Sequence, residues 1–196
     1  CINGAPRKRN TFEAVKEFAS YLGNKGVNCT WINLSESTVL PCQGCIACFN
    51  KGEEFCPHDD DVKNIINQID SADGVIFVSP VYAFQVTALL KNFLDRASYI
   101  FHRPRFFGKV ATAIVTQGVY GGNASCKYLS LIQSAMGFTT INGKVLQTLE
   151  PCTQRQKAKN SSALQTLAAP LCAHISRVRF PKPSIFALTM FRIGRT

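Results

Sequence analysis

The chain has 196 residues, of which 46% are hydrophobic, so it can bury one domain well and is short for two. Nine cysteines is an odd number, which excludes a fully disulfide-paired secreted framework and fits a cytoplasmic protein. The net charge of +10 indicates either a solvated basic surface or an acidic partner, such as an electron carrier. Nucleic acid is not expected, because the basic residues form no helical stripe. No membrane span is expected either, since the late apolar stretch 185–191 is too short.

Short apolar runs alternate with amphipathic stretches, which predicts a parallel sheet with helices on both faces. In chain order, the prediction is the end of a strand at 1–3, a helix over 11–22, a strand over 29–34, a helix ending at 69, a strand over 74–79, a helix over 87–98, a strand over 109–116, a helix over 124–136, a strand within 139–149 and a helix over 153–179. Asp59, Asp60 and Asp61 are predicted to cap the helix that ends at 69. Pro170 predicts a kink or break in the last helix.

The predicted elements form one domain over 1–180, with a cysteine-rich loop at 40–58 after the second strand. Its first strand is expected to start upstream of Cys1, because Ile2 and Asn3 lead directly into a turn. The tail 181–196 is predicted to be a short amphipathic extension. Docking on a neighbouring subunit suits so short a helix better than membrane contact.

Four cysteines lie within fifteen residues of the cysteine-rich loop: Cys42, Cys45, Cys48 and Cys56. Four thiolates can complete a tetrahedral zinc site or ligate the irons of a cluster. The spacing resembles the bacterial ferredoxin pattern, in which closely spaced cysteines precede a Cys-Pro pair. The spacing therefore predicts a metal site and leaves zinc and an iron–sulfur cluster both open.

Three further loops follow predicted strands, where ligands of such sheets collect. The first, 3–11, combines a turn, basic side chains and a helix start, which together suit a phosphate group. The second, 79–84, is apolar and aromatic and could line one edge of a flat ring. The third, 116–122, has glycines that let backbone amides approach a ligand closely. The coincidence of the three predicts a site for a phosphorylated planar cofactor.

The order and spacing of several segments also carry a family resemblance over about residues 1–150. The segments are 4–11, the cysteine run 42–56, 60–62, 79–82, 90–96 and the glycine loop 116–122. They resemble the iron–sulfur flavoproteins, a group within the NAD(P)H-dependent FMN reductases. The resemblance implies an α/β, flavodoxin-like three-layer sandwich with five parallel strands in the order 2-1-3-4-5. It also implies bound FMN, a 4Fe–4S cluster, and homodimers or homotetramers in which cluster and flavin of neighbouring subunits approach.

The resemblance assigns residues to each group. The FMN-binding residues it implies are Ala5, Arg7, Arg9, Asn10, Thr11 and Phe12 around the phosphate, Pro80, Val81, Tyr82, Ala83 and Phe84 on one side of the ring, and Thr116, Gln117, Gly118, Tyr120, Gly121 and Gly122 on the other. Cys42, Cys45, Cys48 and Cys56 would hold the cluster. The chain departs from the family at Ala5, where a serine is usual, and at Arg9, where a glycine is common.

The leading functional hypothesis is an oxidoreductase that passes electrons between NAD(P)H or ferredoxin, FMN and the cluster. No side chain is expected to be catalytic, because FMN carries the chemistry. One alternative is a plain NAD(P)H:flavin or quinone reductase without a cluster. Another is a non-enzymatic binding module of the same fold with structural zinc. Hydrolysis is not predicted, because none of the three histidines lies in a recognisable nucleophile motif.

Overall fold

The computed structural model describes residues 1–176 and the single positions Ile185, Leu188, Thr189 and Arg192. Apart from those four positions, the predicted tail 181–196 lies outside the described residues. Within the described residues, six strands form one parallel sheet in the order β2-β1-β3-β4-β5, with β6 also paired to β4. The strands are β1 (Ile2–Asn3), β2 (Ile32–Asn33), β3 (Gly74–Pro80), β4 (Val110–Gln117), β5 (Thr139–Thr140) and β6 (Lys144–Gln147).

The predicted strand order 2-1-3-4-5 is confirmed, but the fifth strand is split in two. β5 pairs with the start of β4, and β6 pairs with its end. Between them, the hydroxyl of Thr112 donates a hydrogen bond to the carbonyl of Ile141 at 3.0 Å. A side chain of β4 therefore bonds the segment between β5 and β6, where the backbone pairing is interrupted.

The six described helices are α1 (Asn10–Gly23), α2 (Ala47–Asn50), α3 (Val62–Ser71), α4 (Ala88–Arg96), α5 (Gly122–Ala135) and α6 (Gln154–Ile175). Five of the six agree with the predicted series to within a few residues, and α2, in the cysteine-rich loop, was not predicted. The prediction of a break at Pro170 is wrong, because α6 continues through this proline to Ile175. Leu167 and Leu171, on either side of it, are buried in the core, and this packing holds the helix together across the missing donor.

The sheet is buried on both faces, as a parallel sheet usually is. Along β3, Val75 and Phe77 belong to one apolar cluster, while Ile76 and Val78 belong to another. Successive strand residues point to opposite faces, so each cluster fills one side of the sheet. Through the first cluster, α3, α4 and α5 pack against one face of the sheet, and through the second, α1 and α6 pack against the other. The result is the three-layer sandwich that the resemblance implies.

Three strands end together at one edge of the sheet. β1 pairs with β3 at Asn3 and Val78, and β3 pairs with β4 at Pro80 and Thr116. Because the strands are parallel, the loops that follow β1, β3 and β4 emerge side by side. This edge carries the three loops that the sequence singles out.

Candidate functional site

The turn after β1 is pinned to the sheet and to α4. The amide of Gly4 donates to the carbonyl of Val78 at 2.8 Å, and the Gly4 carbonyl accepts from the hydroxyl of Thr87 at 2.6 Å. A Cβ atom on Gly4 would lie only 2.7 Å from the Cβ of Leu90, so the chain approaches α4 as closely as a glycine allows. Ala5 is buried, and its amide donates to the side-chain oxygen of Asn3 at 3.0 Å.

The start of α1 is open to an anion. Arg9 is the N-cap residue, and no side chain among the described residues accepts from the first-turn amides. Those amides and the helix dipole attract negative charge, and Arg7 and Arg9 add exposed cations. Lys8 is less available, because its ammonium forms an ion pair with Glu36 at 2.6 Å. The combination has the properties of a phosphate site.

Thr11 joins this helix start to the end of β4. Its Oγ1 lies 2.7 Å from the Oγ1 of Thr116, and the two buried hydroxyls share a hydrogen bond. The side chain of Asn10 is directed elsewhere, because its amide nitrogen donates to the carbonyl of Thr148 at 3.3 Å and to the carboxylate of Glu150 at 3.1 Å. Asn10 and Thr11 are both predicted to contact the phosphate, and the amide nitrogen of Asn10 already has protein partners.

The loop after β3 is a tight turn whose two central residues have a backbone conformation that is rare for their residue types. Tyr82 and Gln85 exchange backbone hydrogen bonds at 2.9 and 3.0 Å. Between them, Ala83 and Phe84 both have positive φ angles, 48° and 64°, which is the conformation of a type I′ turn. Side chains other than glycine or asparagine are strained there, and such strain concentrates at functional sites. The turn leaves Phe84 67% exposed at the edge of the site.

The glycine loop after β4 packs against this turn. Gly121 has a φ angle of 100°, and a Cβ atom on it would lie 2.9 Å from the Cγ1 of Val81 and 3.0 Å from the Cα of Phe84. The rings of Phe84 and Tyr120 meet edge to face, with centroids 5.7 Å apart. The two loops therefore form one wall, with an exposed aromatic pair on top.

The side chain of Gln117 has a structural role that the sequence did not indicate. Its carbonyl oxygen accepts from the amide of Gly122 at 2.8 Å, and its amide nitrogen donates to the side-chain oxygen of Gln147 at 3.0 Å. Gln117 thus ties the start of α5 to β6. Thr87, where the sequence predicted a helix to start, is the N-cap of α4, and its bond to the Gly4 carbonyl is the part that the sequence did not indicate.

The cysteine-rich loop surrounds a separate cavity of about 500 Å³. All four predicted ligands, Cys42, Cys45, Cys48 and Cys56, line it. The loop contains α2, and the N-cap of α2, Ile46, has a positive φ angle of 52°, which is an outlier for a β-branched residue. The cavity also contacts Tyr99, whose pKa burial raises to about 12, so this hydroxyl stays protonated near neutral pH.

The four thiols share the cavity without converging on one point. In the part of the chain that the structure describes, no three His, Cys, Asp or Glu side chains are placed to hold a metal ion together. Burial raises the pKa of the Cys48 thiol, and the charges of Cys56, Cys42 and Cys45 raise it further. A metal ion bound among the four sulfurs would offset this cost of ionising Cys48. The donor set, its common cavity and its soft chemistry fit a cluster or zinc.

The prediction that the three aspartates cap α3 is confirmed only in part. Asp61 is the N-cap residue, but its carboxylate accepts from the amide of Thr38 at 2.7 Å and makes no bond to its helix. Asp60 accepts from the first-turn amide of Val62 at 3.2 Å and also from the amide of Leu40 at 2.9 Å. These carboxylates therefore also connect the two ends of the cysteine-rich loop.

Cys126, on α5, provides a test of the thiol environments. Burial raises its pKa to about 11, so at pH 8 its thiolate is about a hundredfold scarcer than that of a free cysteine. In the metal-free chain, we expect iodoacetamide at pH 8 to label the exposed Cys42 and Cys45 well before Cys126. Peptide mass spectrometry over a time course measures the three rates. Labelling of Cys126 as fast as Cys42 would contradict the buried environment.

Comparison with known proteins identifies the family. The family model for "NADPH-dependent FMN reductase" matches residues 1–148. The chain belongs to this family. It is 32% identical to an iron-sulfur flavoprotein of Archaeoglobus fulgidus over 69% of this chain and 67% of that protein. It is 35% identical to an iron-sulfur flavoprotein of Methanocaldococcus jannaschii over 62% of each. Across four such relatives, the chain spans between 49% and 67% of the other protein's length.

Solved structures agree on the fold. A crystal structure of RosB with a bound riboflavin-phosphate intermediate matches with a TM-score of 0.73 at 10% identity, covering 89% of this chain and 77% of that one. An NAD(P)H:quinone oxidoreductase from Methanothermobacter marburgensis matches with a TM-score of 0.69 at 16% identity, covering 87% and 96%. At these identities the likeness establishes the flavodoxin-like fold alone. Among the described helices, none combines the length and apolar character that crossing a bilayer needs.

Proposed function

We propose that this member of the FMN reductase family is an FMN-dependent oxidoreductase with a 4Fe–4S cluster in its cysteine-rich loop. The observation that carries the flavin site is the uncapped start of α1, beside two loops that form one wall at the same sheet edge. The family match and the iron-sulfur flavoproteins among the relatives support both groups. When bound, FMN exchanges hydride with a nicotinamide nucleotide and single electrons with a cluster.

The phosphate of FMN would bind at the turn 4–9 and the start of α1. The amide of Ala5 is already bonded to Asn3, so the free first-turn amides and the cations of Arg7 and Arg9 would supply most of the attraction. The hydroxyl of Thr11 is hydrogen-bonded to that of Thr116. This contact would fix the position of the phosphate end of the site relative to the ring end.

The ring of FMN would lie along the wall made by 80–84 and 116–122. The strained turn at Ala83 and Phe84 would fix the direction of this wall before the cofactor arrives, which lowers the ordering cost of binding. Gly118 leaves space beside this wall, since a Cβ atom on it would meet only the Cδ1 of Leu149, at 3.8 Å, while Gly121 lets the two loops of the wall pack closely. The exposed rings of Phe84 and Tyr120 would cover one edge of the ring or contact a second subunit of a homodimer or homotetramer.

The cluster would be held by Cys42, Cys45, Cys48 and Cys56. Two of their sulfurs already accept hydrogen bonds, Cys42 from the amide of Gly44 at 3.5 Å and Cys56 from Arg96 at 3.3 Å. Donors to sulfur stabilise thiolate ligands and set the potential of a cluster. A plain flavin reductase is the second candidate, because the described thiols line their cavity without converging.

The donor would be NAD(P)H, as the family description suggests, or reduced ferredoxin, which the net charge of +10 would attract. The nine cysteines are free of disulfides, which suits a reducing cytoplasm. Because the chain spans only part of several relatives, these assignments concern this chain and not the whole length of those proteins.

Anaerobic purification tests the proposal, with FMN, iron and acid-labile sulfide measured per chain. We expect one FMN, a brown chromophore and iron with sulfide in equal amounts. In a Cys45→Ser variant, the brown chromophore should be lost while FMN is retained. Cys126→Ser is the matched control, because Cys126 lies on α5 and does not line the cysteine cavity.

Each other outcome identifies a different protein. Stoichiometric FMN and NAD(P)H oxidation without iron would leave the plain flavin reductase. One zinc per chain without flavin absorbance would indicate the non-enzymatic binding module. An unchanged spectrum in Cys45→Ser would count against cluster ligation by this loop.

A further inference from the structure

Arg96, the last residue of α4, is buried beneath the cysteine-rich loop. Its side chain is only 4% exposed, although it carries a charge. One guanidinium nitrogen, Nη1, donates to the carbonyl of Leu40 at 2.9 Å and to the carboxylate of Asp60. The other, Nη2, donates to Asp60 at 3.2 Å and to the Sγ of Cys56 at 3.3 Å. The Arg96 side chain thus contacts Leu40, which precedes the first cysteine of the loop, and Cys56, which is the last.

Asp60 completes this connection. Its side chain is 1% exposed, and its two oxygens also accept from the amides of Leu40 and Val62. Burial opposes the charge on Asp60, but the hydrogen bonds from Arg96, Leu40 and Val62 outweigh it and lower the pKa of this carboxylate. The pair stays ionised at neutral pH, so the guanidinium remains a charged donor next to the Cys56 sulfur.

The other arginines near the loop make contacts of a different kind. Arg103 donates to the carbonyl of Phe49 at 3.1 Å, and Arg105 donates to the carboxylates of Glu53 and Asp70. Both residues are exposed, and among the described residues neither donates a hydrogen bond to a sulfur, although Arg105 also lines the cysteine cavity. Arg96 alone among these three combines burial, both loop ends and a ligand sulfur.

We propose that Arg96 is a positioning residue for the metal group of the cysteine-rich loop. It holds the two ends of the loop together through Leu40 and Asp60, and it donates a charge-assisted hydrogen bond to the sulfur of Cys56. Because a reduced cluster carries one more negative charge, this donor favours the reduced state and raises the reduction potential. The effect on the reduction potential rests on the proposed cluster. The role of Arg96 in holding the loop ends together rests on the protein alone.

The test compares Arg96→Lys with Arg103→Lys as the matched control. Lysine keeps the charge but cannot form the planar fork that reaches Leu40, Asp60 and Cys56 together. The first readout is hydrogen exchange at the amides of Leu40 and Val62 in the metal-free chain. We expect exchange about tenfold faster in Arg96→Lys and unchanged in Arg103→Lys.

The second readout is the midpoint potential of the reconstituted cluster, measured by redox titration under anaerobic conditions. We expect the reduced state of Arg96→Lys to be about tenfold less favoured, which for a one-electron couple is about 59 mV lower. Arg103→Lys should keep the wild-type potential. Arg96→Gln is the second variant, and it places no ammonium in the buried site. If Arg96→Lys loses its FMN, the potential of Arg96→Gln is compared with that of Arg103→Lys instead. A neutral side chain is expected to lower the potential further.

The outcomes separate the two proposals. Wild-type exchange rates and potential in a folded Arg96 variant would overturn the role of Arg96. A wild-type chain that takes up no iron would sink the proposed cluster, and the exchange measurement on the metal-free chain would then decide the positioning role by itself.

Discussion

Replacing Asp60 with asparagine is expected to lower the free energy of unfolding by about 3–5 kcal/mol at pH 7, because it leaves the buried guanidinium of Arg96 without its counter-charge. Urea unfolding followed by circular dichroism measures the change. Asp95→Asn is the matched control, since Asp95 is the neighbour of Arg96 and pairs with Lys91 at the surface. Exposed pairs contribute about 0–1 kcal/mol, so the control should lose little. Equal losses in both variants would show that the buried pair has no special weight.

The same pair predicts a pH dependence. The pKa of Asp60 is lowered in the folded chain, so its contribution to stability is fully present above the unfolded value, about 3.9. The contribution is lost as the pH falls from there through the folded pKa. The difference in unfolding free energy between wild type and Asp60→Asn should therefore be constant from about pH 5 to 7 and narrow below about pH 4. A difference that stays constant down to about pH 3 would contradict this linkage.

Replacing Gly121 with alanine is expected to weaken FMN binding by at least tenfold. The new Cβ would require an alanine with a φ angle of 100° and would press on Val81 and Phe84, 2.9 and 3.0 Å away. Overpacking of this kind costs about 1–3 kcal/mol, and the turn at 81–84 would have to move to relieve it. Since that turn forms one wall of the proposed flavin site, the binding surface would change shape.

Quenching of flavin fluorescence on titration of the FMN-free chain measures the affinity. Gly26→Ala provides the control, because Gly26 also has a positive φ angle, 79°, its Cβ would meet nothing within 4 Å, and it lies outside the proposed flavin site. We expect this variant to bind FMN nearly as the wild type does. Equal affinity in Gly121→Ala and wild type would argue that the flavin ring does not use this wall.

The elements that the sequence predicted well are those whose signal is local. The run Val75–Val78 is apolar without alternation, and β3 is indeed buried on both faces. The amphipathic pattern of α1 gave its limits to within about a residue. The convergence of three loops followed from parallel strands alone, since parallel strands end at one edge whatever their side chains.

The features that the sequence did not reveal depend on partners far along the chain. Asp60 reads locally as a helix cap, and only the fold brings Arg96, 36 residues later, against it. Asn10 reads as a phosphate contact, yet its amide nitrogen bonds to Thr148 and Glu150, about 140 residues away. No local pattern encodes such pairs, because their partners are far apart in the sequence and meet only in the folded chain.

The cysteines lie between these two cases. Their spacing predicted a shared metal site, and the structure places all four around one cavity without bringing the sulfurs to one point. The distances between the sulfurs depend on how the loop is held at its ends, and that is decided by Asp60 and Asp61, just before α3, and by Arg96 of α4 rather than by the spacing. The metal assignment therefore stays a prediction.

Helix α4 has contacts at both of its ends that bear on both proposed centres. At its start, Thr87 is bonded to the turn beside the proposed flavin phosphate, and at its end Arg96 is bonded to Cys56. Nine helical residues rise by about 1.5 Å each, or about 14 Å in all. A single rigid helix thus sets the distance between the turn of the proposed flavin phosphate and the cysteine-rich loop within one subunit, so a local movement of either loop leaves that distance nearly constant.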